Sequence, residues 1–249
     1  AEVLGRSGDS EVLRAQAQQL QIRFEEQFWS PEIGMYALAL DGQKRPCKVK
    51  SSNAGQCLYT GIASQEHAPQ IAASLLSPEF FSGWGIRTLS SSEKRYNPVS
   101  YHNGSVWPHD NALIAAGLSR YGFGHMAARV LSAFFDVSAA VELRRLPELL
   151  CGLERRRGEG PTLYPVACSP QAWAAGSVFM MLQACLGLTI DGTRDAVEVD
   201  SPCLPHEISQ LSIKNLEVGS VRVDLLFERA ANGDIQVATE KRPDLQATV

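Results

Sequence analysis

The chain has 249 residues, of which 45% are hydrophobic and 20% are charged, and its formal net charge is -4 at pH 7. This composition predicts a globular protein with a sizeable core in one large domain, with at most a small appendage. The mild acidity and the scattered Lys and Arg residues make nucleic acid and anionic membranes poor partners, and no apolar run reaches the roughly 18 residues that span a bilayer.

The first part of the sequence predicts three helices. From Asp9, a candidate N-cap, apolar residues recur at helical spacing as far as Phe28. Residues 35–42 are predicted to be a short extended segment that ends at an Asp-Gly turn. Two further helices are predicted over residues 52–64 and 68–77, where small and apolar residues dominate.

The middle of the sequence alternates long irregular stretches with helices. Residues 83–105 have little periodicity, and their aromatic residues and glycines favour an ordered, functional loop. Helices are predicted over 106–121 and 124–141, with a short connection that is typical of antiparallel neighbours. A second irregular stretch, residues 144–170, precedes a last helix over 171–186. The fold is therefore predicted to be mainly α, with long loops at one end of the helices.

The last sixty residues change character, because Ala becomes rarer and apolar residues begin to alternate with polar ones. Asn232-Gly233 is a strong hairpin signal between two such segments. We predict a helical domain over residues 1–189 and a small β-rich appendage over 190–249. Residues 241–249 are predicted to be a frayed terminus.

Several function classes lack the residues that would carry them. The sequence contains no GxSxG, HExxH, P-loop or GxGxxG motif, so no cofactor is implied. The six cysteines include no CxxC pair and lie mostly among apolar residues. They are interpreted as free thiols in a reducing cytoplasm rather than as a disulfide framework or a metal site. No metal ligands are assigned, and the absence of an export signal predicts a cytoplasmic location.

Residues 101–111, YHNGSVWPHDN, hold more ring and amide groups than a turn requires. Ser105 can cap a helix that starts at Val106 and Trp107, and Pro108 suits the first turn. The other polar and aromatic groups could bind a flat polar ligand such as a sugar at a helix N-terminus. Alternatively, the Trp belongs to the core and the histidines bond neighbouring backbone groups. The candidate ligand-binding residues are Tyr101, His102, Asn103, Trp107 and His109.

Two more segments carry candidate functional groups. Glu148 lies among leucines in RLPELLCG, so its carboxylate is either satisfied by partners or kept for proton chemistry. The alternative without a catalytic role is a solvent-facing Glu at a helix start. Gln171 and Trp173 lie at the start of the last helix, where an amide and an indole could hold a sugar, or where the indole could be core and the amide solvated.

Four motifs in order, SGWGIRTLS, YNPVSYHNGSVWPHDNALIAAGL, RLPELLCG and PQAWAAGS, resemble the bacterial amylo-α-1,6-glucosidase family. This is the glucosidase part of glycogen debranching enzymes, in the six-hairpin glycosidase superfamily. The resemblance covers about residues 10–190 and corresponds to the C-terminal part of the family. It implies an (α/α)6 toroid, of which this chain would supply about half.

The resemblance also implies a function. Such enzymes hydrolyse α-glucosidic bonds with inversion, and Glu148 matches the family's general base. The family's general acid is an Asp in an earlier segment that this sequence does not contain. The implied substrate is an α-glucan-like oligo- or polysaccharide, and the implied protein partner is the missing half of the toroid or a second copy of the chain. The implied sugar contacts are Trp84, Arg87, Tyr101, His102, Asn103, Trp107, His109, Gln171 and Trp173.

Two alternatives remain open from the sequence. The chain could be a noncatalytic carbohydrate-binding or assembly module that keeps the pocket aromatics without the acid. It could also be a related hydrolase that acts on mannosylglycerate or trehalose. The LPEL motif around Glu148 favours an enzyme over the binding module.

Overall fold

The computed structural model describes residues 4–242 of the chain, and its α-helices all lie between residues 7 and 186. A short 3-10 helix, Glu142–Arg144, follows the fifth α-helix. The α-helices are α1 (Ser7–Phe28), α2 (Asn53–Thr60), α3 (Ala68–Leu75), α4 (Pro108–Arg120), α5 (Gly124–Ala140) and α6 (Ala172–Leu186).

Helix α4 is the centre of the helical part. It packs against α2, α5 and α6, and α5 also packs against α6. The main core forms between these helices from fully buried side chains such as Leu58, Ile114 and Leu131. Burial of such side chains is the chief stabilising contribution to the arrangement.

Two glycines let α2 and α4 approach closely. A Cβ atom added to Gly117 would lie 2.6 Å from the backbone nitrogen of Tyr59, and one added to Gly55 would lie 2.6 Å from a side-chain carbon of Ile114. Neither distance occurs between real atoms of these kinds. The separation of α2 and α4 therefore depends on glycine at both positions.

Within residues 4–242 the strands form four small antiparallel sheets. The first two sheets lie between α1 and α2, and the other two follow α6. The β8–β9 connection contains Asn232-Gly233, so the predicted hairpin is confirmed. The strands are β1 (Trp29–Ser30), β2 (Met35–Tyr36), β3 (Ala39–Leu40), β4 (Pro46–Cys47), β5 (Leu188–Asp191), β6 (Ala196–Val199), β7 (Gln210–Val218), β8 (Val221–Arg229) and β9 (Ile235–Arg242).

A second apolar cluster lies under the C-terminal sheet, which has the strand order β7-β8-β9. Val223, Leu225 and Phe227 alternate along β8 and face this cluster, together with Leu186 at the end of α6. The period of two along β8 is what a half-buried strand requires. The division into domains 1–189 and 190–249 stays a prediction. The predicted frayed terminus, residues 241–249, is wrong at its first two residues, because β9 extends through residue 242 and pairs with β8 there. Residues 243–249 lie outside the described part of the chain.

Two predicted helix starts are wrong. Helix α1 begins at Ser7, with Arg6 and not Asp9 at the N-cap position. Helix α4 begins at Pro108, because Trp107 keeps an extended backbone (φ -112°, ψ 125°). Ser105 therefore does not cap α4, and its hydroxyl donates instead to the carbonyl oxygen of Tyr101 at 2.7 Å.

Helix α1 has no buried residue, although its apolar residues follow the predicted spacing. Only its last turns pack against the main core, through the partly buried Phe24 and Phe28. Leu13 and Leu20 remain more than half exposed. Among residues 4–242, no helix combines the length and the apolar character needed to cross a bilayer.

Candidate active site

Four loop segments meet in a narrow antiparallel ladder beside the N-terminus of α4. Single bridges join residue 87 to 106, 106 to 150 and 150 to 163. The N–H of Val106 donates to the Leu150 carbonyl at 3.0 Å, and the N–H of Leu150 returns a bond of 2.8 Å. We call these four segments the loop ladder. It brings together three of the motifs in which the sequence analysis found candidate residues.

The side chain of Asn111 fastens the first loop segment to α4. Its Oδ1 accepts the N–H of Ile86 at 2.7 Å, and its Nδ2 donates to the carbonyl oxygens of Ile86 at 3.0 Å and Trp107 at 2.9 Å. Asn111 is fully buried. Both backbone polar groups of Ile86 thus obtain partners in a place that water cannot reach.

Glu148 lies next to the ladder, and both its carboxylate oxygens are bonded. The Tyr101 hydroxyl donates to Oε1 at 2.6 Å, and the backbone N–H of Cys168 donates to Oε2 at 3.2 Å. The N–H of Glu148 in turn donates to the Cys168 carbonyl at 2.9 Å. The residue is only 9% exposed. Of the alternatives weighed above, the structure contradicts the solvent-facing Glu, because the carboxylate is largely buried and bonded.

These hydrogen bonds shift the proton equilibria of the pair. The bond from Tyr101 lowers the pKa of Glu148 most, burial opposes this, and the Cys168 N–H and the side chain of Gln171 lower it further. The same bond, together with burial, raises the pKa of Tyr101 to about 12. Glu148 is therefore ionised and Tyr101 is neutral at neutral pH. This charge state suits a general base, which must hold an unprotonated carboxylate.

Aromatic rings cluster next to Tyr101, the hydrogen-bond partner of Glu148. Tyr101 makes an edge-to-face contact with Trp107, with ring centroids 4.9 Å apart. His109 stacks on Trp173 at 3.7 Å and meets Trp107 edge-on at 5.5 Å. Trp173 is half exposed, so part of its face is open to solvent. Such a face, next to polar groups, is suited to contact a sugar ring.

Two buried polar atoms on the helices around these rings have no hydrogen-bond partner within the described residues. They are Nδ1 of His109, in the first turn of α4, and Oε1 of Gln171, at the N-cap of α6. Burial lowers the pKa of His109, with Glu148 opposing, so its imidazole is neutral. Buried polar atoms normally have partners, so these two are unsatisfied hydrogen-bonding groups beside the aromatic rings.

Three predicted sugar contacts make contacts with other parts of the chain, and their role in binding stays a prediction. Trp84 is buried in the main core, and the guanidinium of Arg155 lies 4.5 Å above its ring. Arg87 is buried, and its Nε donates to the Gly152 carbonyl at 2.7 Å. Arg87 thereby supports the segment that carries Glu148. Asn103 is exposed, and its carbonyl accepts the N–H of Asn97 at 2.7 Å.

Residues that the sequence analysis did not single out also contribute. The ring of Tyr164 meets that of Tyr101 edge-on at 5.5 Å. The backbone of Cys168 bonds Glu148, as described above. Asp110 lies at the contact of α4 with α2, where Gln56 donates to its Oδ1 at 2.5 Å. Burial raises the pKa of Asp110. No group of three potential metal ligands occurs within residues 4–242.

Comparison with known families gives one match that covers more than half of the chain. The family model described as the mannosylglycerate hydrolase MGH1-like glycoside hydrolase domain matches residues 1–146. The match includes the first two motifs and the residues around Tyr101. It ends two residues before Glu148.

Two curated relatives come from Selaginella moellendorffii, the mannosylglycerate hydrolases MGH1 and MGH2. Each is 29% identical to this chain over 133 residues, which is 52% of this chain and 26% of the relative. The chain thus matches about a quarter of the length of these relatives.

Similar folds occur among solved structures. The GH63 mannosylglycerate hydrolase from Thermus thermophilus aligns with 62% of this chain and 35% of its own, at 25% identity and a TM-score of 0.48. The neutral trehalase Nth1 from Saccharomyces cerevisiae aligns with 69% of this chain and 30% of its own, at 19% identity and a TM-score of 0.51. The trehalase likeness is one of fold. The six α-helices and small sheets of the described part of the chain are consistent with part of a six-hairpin glycosidase toroid.

Proposed function

The chain belongs to the family of MGH1-like glycoside hydrolase domains, and from this premise we propose that it forms the base-carrying part of an inverting glycoside hydrolase. The observation that carries the proposal is the ionised carboxylate of Glu148, held between Tyr101 and the backbone of Cys168 beside open aromatic faces. A carbohydrate is the substrate class of the family.

In the proposed reaction Glu148 acts as the general base. It removes a proton from a water molecule, whose oxygen attacks the anomeric carbon while the glycosidic C–O bond breaks on the opposite face of the sugar. An acid must protonate the leaving oxygen at the same time. Tyr101 keeps the carboxylate ionised and oriented, and the neutral His109 and the amide of Gln171 offer bonds to sugar hydroxyls.

We propose that the general acid comes from polypeptide equivalent to the rest of the relatives' length. In an inverting pair the two carboxyl groups lie roughly 6.5–9.5 Å apart across the sugar. Asp110, the other buried carboxyl group near these helices, is bonded by Gln56 at the contact of α2 with α4. Its position between two helices makes it a poor acid for a substrate in the pocket.

The same polypeptide would cover two apolar surfaces, one on the first helix and one on the last. Leu13 and Leu20 are exposed on α1. At the other end, Phe135 of α5 and Phe179 of α6 line an apolar groove of about 490 Å³. Helices at both ends of an open part of a toroid would show such surfaces, since each lacks its next neighbour. We propose the remaining helices of the toroid as the partner.

Mannosylglycerate or a similar small glycoside is the first candidate substrate, because both curated relatives are named for that activity. The amylo-α-1,6-glucosidase specificity predicted from the four motifs is the second candidate. The comparisons support the glycoside hydrolase family, and not this specificity.

Hydrolysis assays test the proposal. The chain would be incubated with mannosylglycerate, trehalose and α-1,6- and α-1,4-linked glucose oligosaccharides. Each assay would be run with and without the polypeptide that supplies the remaining helices of the toroid. Fresh product would be read by NMR, which reports the anomer. We expect release of an inverted product when the partner is present, and no release with Glu148→Gln, because the amide cannot accept the proton.

Binding measurements provide the control. Glu148→Gln should still bind the substrate, since the rings and the His109 and Gln171 atoms are unchanged. Saturable binding by the native pair without any hydrolysis would instead support the noncatalytic module. Full turnover by this chain alone would contradict the proposed origin of the acid.

A further inference from the structure

Two cysteines meet where the last helix joins the C-terminal sheet. Cys185 lies in the final turn of α6 and is buried. Cys203 lies in the connection between β6 and β7 and is half-buried. Both side chains belong to the same apolar cluster, Cys185 as a buried member and Cys203 as a partly buried neighbour.

The backbones of these cysteines are in direct contact. The N–H of Cys203 donates to the carbonyl oxygen of Cys185 at 2.7 Å. With ordinary backbone bond lengths, this hydrogen bond keeps the two Cα atoms within about 6.6 Å of each other. Disulfides join residues whose Cα atoms lie about 4.4–6.8 Å apart. The Cα atoms are therefore no farther apart than the upper limit for a disulfide.

The environments of the thiols set an order of reaction. Burial raises the pKa of Cys185 to about 12, and the neighbouring Cys203 thiol contributes to the same shift. Burial also raises the pKa of Cys203, but the nearby Arg229 opposes that effect. Since the thiolate is the reactive form, the more accessible Cys203 reacts first.

We propose that Cys185 and Cys203 are a disulfide-forming pair that is oxidised by a small-molecule disulfide such as oxidised glutathione. The Cys203 thiolate attacks one sulfur of the glutathione disulfide and releases one glutathione thiolate. The Cys185 thiolate then attacks the Cys203 sulfur of the mixed disulfide and releases the second. The two glutathione thiolates take up the two protons that the cysteines lose, and two cysteine thiols are oxidised as one glutathione disulfide is reduced.

The disulfide would fasten the end of α6 to the segment that leads into the C-terminal sheet. It closes a loop that contains the β5–β6 hairpin, and Gly124 at the start of α5 lies against Cys203 in the same place, with an added Cβ at 3.3 Å from that of Cys203. The site lies at the opposite end of α6 from Gln171 and Trp173. The inference is independent of the proposed hydrolase function.

Peptide mass spectrometry under non-reducing conditions tests the pair. The native chain would be incubated with oxidised glutathione at about pH 8.5, alkylated and digested. We expect a peptide that links Cys185 to Cys203, with a mass about 2 Da below the sum of the two reduced peptides. Dithiothreitol should abolish it. Cys203→Ser should prevent the link, whereas Cys47→Ser, at a half-buried cysteine in β4, should leave it unchanged.

Two outcomes would overturn the proposed disulfide between Cys185 and Cys203. A stable glutathione adduct on Cys203 with Cys185 still alkylatable would show that the second sulfur cannot reach the first. A link between Cys203 and any other cysteine would also overturn the proposed pair. A native thiol titration gives a second readout. After oxidation the number of titrated thiols should fall by about two in the Cys47→Ser variant but not in the Cys203→Ser variant, which separates pairing from misfolding of one variant.

Discussion

Replacement of Asn111 by alanine should destabilise the folded chain strongly. The amide side chain bonds both the N–H and the carbonyl of Ile86 and also the carbonyl of Trp107. Alanine makes none of these bonds, and the site is fully buried, so water cannot replace them. The backbone groups of Ile86 would remain desolvated and unpaired.

The magnitude follows from the two groups that are left without a partner. A buried unsatisfied donor or acceptor costs about 1–3 kcal/mol, so the N–H and the carbonyl of Ile86 together predict a loss of about 2–6 kcal/mol in the free energy of unfolding. Typical domains have only about 5–15 kcal/mol in total. The variant should therefore unfold at a clearly lower urea concentration.

Urea unfolding followed by far-ultraviolet circular dichroism measures this loss. Asn103→Ala is a matched control, because Asn103 is exposed, and its effect should stay within about 0.5 kcal/mol. A loss below about 1 kcal/mol for Asn111→Ala, with an unchanged dependence on urea, would refute the reasoning. It would mean that the segment containing Ile86 is held in place by contacts other than this amide.

Three other substitutions test the site and the packing. Tyr101→Phe should raise the pKa of Glu148, measured by carboxyl ¹³C NMR titration, because the hydrogen bond from the tyrosine is the largest cause of the lowered pKa. The ionised Glu148 stabilises the fold above its unfolded pKa, and this stability is lost as pH falls through the folded pKa, so the variant should have less of it. An unchanged titration would contradict this. Gly117→Ala should destabilise the chain, because the added methyl group meets the backbone of α2. Gly176→Ala in α6 has nothing within 4 Å of its Cβ and should stabilise the chain by up to about 1 kcal/mol. Equal urea unfolding midpoints for the two variants would contradict the close contact between α2 and α4. Asp110→Asn should stabilise the chain at pH 7 more than at pH 4. Burial raises the pKa of Asp110, so the carboxyl group stabilises the fold below its unfolded pKa and this stability is lost as pH rises through the folded pKa. An equal gain in the free energy of unfolding at both pH values would contradict a raised pKa.

Most helices can be predicted from the sequence because their apolar spacing reports directly which face is buried. Helices α4 and α5 lie within two residues of the predicted ranges. The predicted start of α4 is wrong because Val106 pairs with Leu150, and this partner is 44 positions away in the sequence. A local capping signal at Ser105 cannot reveal such a competing long-range bond.

The candidate site is predictable as a set of residues but not as a set of roles. The motifs place both Glu148 and Tyr101 near a sugar, yet the lowered pKa depends on a hydrogen bond across 47 positions. The resemblance makes Arg87 a substrate contact, and its guanidinium instead bonds the backbone of Gly152. An Arg in a functional motif does not by itself show whether its donors face a ligand or a carbonyl.

The loop ladder makes the open end of the helices one cooperative unit instead of four independent loops. Because Val106 exchanges two hydrogen bonds with Leu150, the segment that carries Tyr101 and the segment that carries Glu148 cannot open separately. An inserted residue in either one would shift the pairing register of both. New specificities should therefore arise more readily by changing side chains around the pocket than by changing the lengths of these loops.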